Sequence, residues 1–525
     1  MSRITPSARA AAAIAALAAS ALVLAACTGG TTTPPNGSES AAPVDTAKLV
    51  IGLDSDQAAL GYDPLRYGSG QRLFFEGIYD SLFVLDENGA VVPDLVTSFE
   101  YSEDQTVLTL DLDTSATFAD GTAVSAELVK QNLDFRGEPD LSAYSGFAVG
   151  QPNEISEVTV IDDDTVTLTF PKANPGFEAN LTLPAGAIVG PAGVADRSSL
   201  DATPDGSGPL AIDGSATVKG NSYLLVKKDG HPRVGDLPFD SYEFRPIIDP
   251  QARANAAISG EVDVAYITAE TQAQVESAGT GLVANGGTIQ NIIAFDKAGA
   301  TAPQWSDPRV FQALSKAIDR ETYVNAIHPG EVPTANVLPA ENPGYLPELE
   351  DEFAYDPEGA KALLAEAGYP DGFSFDFTIT PASQRDLEAL QPYWAAIGVT
   401  VNLKNASSTE EAFAVVQTEP LGGPIPLSWA NPMGNVFGVL FGFANFHGAE
   451  NGQIQGAAGA LGAAQDDTAR AAALQDLNRA IADSGWLIPL FEQLAPWAYN
   501  TGKIATPTFP GTEVFPLLAT FTPAS

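Results

Sequence analysis

Apolar positions along the chain recur with a helical period in some stretches and with a period of two in others. Phe74, Ile78, Leu82 and Phe83 share a helical spacing. Val107, Thr109 and Asp111 alternate with Leu108, Leu110 and Leu112, which predicts a half-buried strand. A second β stretch over 158–170 is broken by Asp162-Asp163-Asp164, read as a solvated hairpin turn. Asp-Pro recurs at Asp249-Pro250, Asp307-Pro308 and Asp356-Pro357, where the carboxylate can accept from the free N–H groups of a first helical turn and proline needs no donor. Val310, Phe311, Leu314, Ala317 and Ile318 form one apolar face behind Asp307; Ala360, Leu363, Leu364 and Ala367 form another behind Asp356. Between such helices lie short β runs at 262–267, 289–295, 373–379 and 399–403. A helix is expected over 467–482 and a strand over 486–490. Helices alternating with short apolar strands predict α/β units.

Two stretches, the N-terminus and an internal glycine-rich run, depart from this pattern. Arg3 and Arg9 precede a run of small apolar residues from Ala10 to Ala26, closed by Leu24-Ala25-Ala26-Cys27. A positive head, a short apolar core and small residues at the cut read as a secretory leader, 1–26. Cys27 is the only cysteine, so no intramolecular disulfide can form. Residues 27–43 are polar and rich in Gly, Pro, Ser and Thr, a tether reaching roughly 20 Å as a flexible coil. The glycine-rich run 434–464, with Gly456, Gly459 and Gly462 at even spacing, reads as a loop. No strand-like run precedes those glycines, which argues against a phosphate cradle.

Composition narrows the function. A net charge of −41 repels nucleic acid and anionic lipid. Hydrophobic content of 45% in 525 residues supports a globular body of two or three units. The three histidines, His231, His328 and His447, stand far apart without ligand spacing, so no metal or other cofactor is expected. No nucleophile-elbow, zinc-protease or Walker pattern marks a catalytic centre. Scattered carboxylates leave a surface hydrolase as the alternative to a binding protein.

Five segments carry a family resemblance: Phe118-Ala119-Asp120-Gly121-Thr122 through Glu127; Gly206-Ser207-Gly208-Pro209; Asp249-Pro250 through Asp263; Asp307-Pro308-Arg309-Val310-Phe311 through Arg320; and Tyr355-Asp356-Pro357 through Phe373. In this order they resemble the family 5 extracellular solute-binding proteins of ABC importers, the dipeptide, oligopeptide and nickel type. Leu24-Ala25-Ala26-Cys27 is similar to a lipobox, which implies a lipid on Cys27 and attachment to the extracytoplasmic face of the cell membrane.

The resemblance implies an α/β, two-lobed periplasmic-binding-protein-like fold, with two crossing strands and an inserted subdomain. Lobe I is expected at 44–62, 204–287 and 486–525, its inserted subdomain at 63–203, and lobe II at 288–485, with hinges near 290–294 and 484–489. The implied function is capture of a small solute between the lobes and delivery to a permease, without catalysis and as a monomer. Peptide-binding members carry an acid shortly after a Gly-Trp pair; here the stretch is Ser428-Trp429-Ala430-Asn431-Pro432. Without that acid, the expected ligand is a polar solute lacking a free α-ammonium. Arg385 resembles the arginine with which dipeptide binders hold a carboxylate; its other reading is a surface residue opening a helix. Trp429 reads as a cleft platform or as core, and Tyr62 is a further cleft candidate.

Overall fold

The computed structural model describes residues 45–136, 154–380, 383–406, 415, 418–429, 432–464, 466–511 and 513–524. The leader, Cys27, the whole tether and Asn431 lie outside the described residues.

A nine-stranded mixed sheet joins two lobes. Its order is Leu421–Ser428, Gly281–Ala294, Leu487–Tyr499, Val264–Tyr266, Leu49–Leu53, Ser241–Pro246, Tyr223–Lys227 and Leu210–Ile212, with Val332–Pro333 added beside Leu487–Tyr499. The two long strands pair antiparallel from Gly281 opposite Tyr499 to Ile293 opposite Leu487. At one end Val264–Tyr266 pairs with the Trp497–Tyr499 segment. At the other, Leu421–Ser428 pairs with the Thr288–Ala294 segment. Each long strand therefore leaves one lobe's sheet and enters the other's. Register slips between Asn285 and Thr288, the point of handover, and again between Gln290 and Asn291, within the range 290–294. Gly286 and Gly287 permit the slip: a Cβ on Gly286 would lie 1.6 Å from Glu492 Oε1, and Gly287 has φ 144°.

Each body has its own core. In lobe I, Leu49, Ile51, Phe74, Phe75, Tyr223, Tyr242, Phe244 and Trp497 pack together. Lobe II has a core on each face of its sheet. Ile292 joins Phe311, Leu314, Phe377, Leu390 and Trp394 on one face, while Ile289 and Ile293 join Leu427, Trp429, Val436, Leu477 and Trp486 on the other. A separate four-stranded antiparallel sheet runs Val96–Tyr101, Val107–Leu112, Thr165–Thr169 and Glu157–Val160 in spatial order. The helix Ala126–Phe135 supplies Val129 and Leu133 to its core.

Local chemistry explains the elements. Asp249, Asp307 and Asp356 each accept a first-turn N–H, from Ala252, Arg309 and Gly359, with proline next in sequence. The Asp162–Asp164 run is the turn between two paired strands, Ile161 N–H donating to Thr165 O at 2.9 Å. The glycine-rich run departs from the expected loop. Gly434–Phe443 winds as a π-helix, and Gly452–Gly462 is an α-helix capped by Asn451, whose side chain accepts from Gln453 and Ile454. Ile454, Ala458 and Leu461 bury one face, and that packing overrides the poor helix propensity of glycine.

Candidate functional site

A cavity of about 330 Å³ opens where lobe II meets the crossing strands. Gln290, Phe491 and Gln493 form its floor, and Pro424 and Pro426 of the edge strand form one wall. Proline suits that edge, where no further strand needs its N–H. His328 and Glu331 enter from the loop after the helix Arg320–Ile327. Thr380, Ser383 and Asp386 enter from the segment between the strand Phe373–Ile379 and the first turn of the helix Gln384–Ala396.

Hydrogen bonds fix these side chains. Asp386 Oδ1 lies 2.5 Å from His328 Nε2 and also accepts from the Tyr323 hydroxyl. The His328 ring lies over Phe491 with centroids 4.3 Å apart. Gln290 Nε2 donates to Gln493 Oε1 at 3.0 Å across the crossing strands. Glu331 Oε2 accepts the Leu494 N–H at 2.6 Å. Burial raises the Glu331 carboxyl to about 7, against the lowering effect of that hydrogen bond and of His328. Glu492, between the floor residues Phe491 and Gln493, is also raised to about 7, by burial and then by repulsion from Glu341.

A second groove, of about 420 Å³, lies between the segment that follows the strand Thr165–Thr169 and the helices Gly434–Phe443 and Gly452–Gly462. Lys172 and Pro175 line one side, and Met433, Phe437, Gly438 and Gly459 the other. Phe437 is 45% exposed there.

The candidates read from sequence fall apart in space. Trp429 is 1% exposed within the lobe II core; its N–H donates to Gly287 O at 3.2 Å, and its Nε1 has no partner among the described residues. Tyr62 is buried in lobe I beneath Lys219, whose Nζ sits 5.0 Å from the ring centroid. Neither lines the cavity or the groove. Arg385 is exposed in the first turn of the helix that carries Asp386, with Nη2 3.5 Å from Ala326 O. Residues that the sequence reading did not name as ligand candidates build the cavity: Gln290, His328, Glu331, Asp386, Phe491 and Gln493. Only His328 carried a prior signal, as one of three histidines. No group of three or more metal-ligating side chains occurs among the described residues.

Residues 90–453 match the family model of bacterial extracellular solute-binding proteins, family 5, middle region. The chain belongs to that family. It is 30% identical over 394 residues to the glutathione-binding protein GsiB of Pectobacterium atrosepticum, covering 71% of this chain and 72% of that one. Among solved structures, HbpA2 of Haemophilus parasuis superposes with a TM-score of 0.72 at 21% identity, covering 89% of this chain and 98% of that one. AgaA of A. tumefaciens R10, solved with agropinic acid, gives a TM-score of 0.69 at 26% identity, covering 91% and 98%. The fold is the two-lobed α/β binding-protein fold, with crossing strands and an inserted subdomain. As a family 5 solute-binding protein, the chain acts outside the cytoplasm, capturing a small solute for an ABC permease. It is a transport binding protein and not an enzyme, and family membership displaces the hydrolase alternative.

Proposed function

We propose that this family 5 protein is a monomeric receptor, tethered to the membrane by a lipid on Cys27, that holds its solute in the cavity against the crossing strands. The cavity carries the reading. It joins lobe II to the strands on which the lobes move, so an occupant reports directly to them. Its lining of amides, hydroxyls, carboxylates and one imidazole suits a small polar solute held by hydrogen bonds, with Phe491 and the two prolines supplying apolar contact. In this reading Arg385, exposed next to Asp386, would meet an anionic group of the solute by leaving its 3.5 Å contact with Ala326 O. Trp429 acts from behind the wall, fixing the end of the edge strand to Gly287. The proposed lobes are 44–62 with 204–287 and 486–525, and 288–485, with the subdomain at 63–203. GsiB binds glutathione and AgaA was solved with agropinic acid, and both ligands have the size and polarity that the cavity asks for.

Native mass spectrometry of freshly purified protein tests the reading, followed by thermal shift with each compound so found. A retained small polar solute that raises the unfolding temperature is the expected result. A chain that retains nothing, and that no small polar solute stabilises, would refute it.

A further inference from the structure

The sequence points to a ligand without a free ammonium, because no acid follows Trp429 closely. The cavity itself supplies acids from elsewhere. Glu331 and Asp386 line it with His328, and among the described residues no lysine or arginine does. Asp386 accepts both of its hydrogen bonds on Oδ1, so among the described residues its second oxygen has no protein donor. Glu331 receives one backbone N–H on Oε2 and no ion pair among the described residues. The groups facing Glu331 offer it little positive charge. They are His328 from its own loop, Tyr266 from Val264–Tyr266, Glu492 from the crossing strand, and Asp386 across the cavity. Arg385 turns its guanidinium toward Ala326 O.

We propose that Glu331 is a proton-exchange site for a cationic solute: it holds a proton in the empty pocket and releases it to water when a protonated amine takes its place. This rests on the cavity being the solute site. A carboxyl buried among acids is neutral at lower cost than charged. An ammonium seated between Glu331 and Asp386 reverses that balance by supplying the missing positive charge. The net charge of −41 adds a field that draws cations toward the protein and discourages anions. The sign of the coupling follows. With Glu331 at about 7, an ammonium must displace a proton at low pH and finds a carboxylate waiting at high pH. Affinity for the amine therefore rises with pH through that value and then levels off.

The test pairs amines with their N-acetylated counterparts, glutathione and N-acetylglutathione among them. Binding is measured by calorimetry at pH 6 and pH 8, in buffers of different protonation heat. Amines should bind more tightly than the acetylated partners, strengthen about tenfold between the two pH values, and release protons as they bind. Glu331→Gln keeps an oxygen for the Leu494 N–H and should therefore fold. It should weaken amine binding about tenfold and abolish the pH dependence. Equal binding of acetylated partners, or a pH dependence that persists in Glu331→Gln, overturns the exchange site and leaves the cavity as a solute site. Failure of every compound to bind overturns both.

Discussion

At the scale of single residues, the crossing strands carry an unusual electrostatic load. Glu492 is 4% exposed, its Oε1 has no partner among the described residues, and burial raises it to about 7. An unfolded glutamate titrates lower, at about 4.3, so between those values the folded chain binds more protons than the unfolded one. The stability linked to Glu492 is fully present below the unfolded value and is lost as pH rises through 7. Glu331 and Glu76, both also raised to about 7 by burial, add in the same direction. The unfolding temperature should therefore fall between pH 5 and pH 8. Glu492→Gln, which removes the buried charge, should raise stability at pH 8 by on the order of 1–2 kcal/mol and flatten the slope. Thermal unfolding of both proteins across that range checks this. A wild-type melting temperature that rises with pH would contradict it.

At the scale of elements, two glycines separate what sequence shows from what only packing shows. Gly206 belongs to the Gly206-Ser207-Gly208-Pro209 motif, and a Cβ there would lie 2.2 Å from Ile78 O at the end of the helix Arg72–Ile78. Gly206→Ala should cost about 1–3 kcal/mol by overpacking against backbone that cannot yield. Gly459 sits inside Gly452–Gly462 with nothing within 4 Å of an added Cβ. Gly459→Ala should stabilise by about 0.5–1 kcal/mol, because alanine loses less backbone entropy in a helix. Denaturant melts of the two variants should shift in opposite directions. The Asp-Pro caps and the period-two strands were legible in sequence because a cap and a strand are local chemistry. The helix Gly452–Gly462 was not, since its burial depends on a core that includes residues far along the chain, such as Ile289 and Val337. The cavity was hidden for the same reason. Gln290, His328, Asp386 and Gln493 meet only once the crossing strands and two helical segments are assembled. Trp429 drew attention through its family segment, with core as one of its two readings, and Tyr62 as an aromatic at the exit of the first strand; the structure buries both.

At the scale of the whole molecule, two lobes sit on a pair of continuous strands, and the proposed solute site lies beside the handover between them. No helix among the described residues is long and apolar enough to cross a membrane. With the proposed lipid on Cys27 as the anchor, Cys27→Ser should leave a folded, ligand-binding protein that no longer fractionates with membranes. A ligand at a hundred times its Kd should stabilise the folded chain by about 2.7 kcal/mol, provided it binds only that state. The most direct measurement is small-angle scattering of the purified chain, with and without a saturating solute whose binding has been verified by calorimetry. A smaller radius of gyration in the bound form is the expected result, as the lobes close on the crossing strands. Identical scattering profiles with the site fully occupied would contradict the receptor described here.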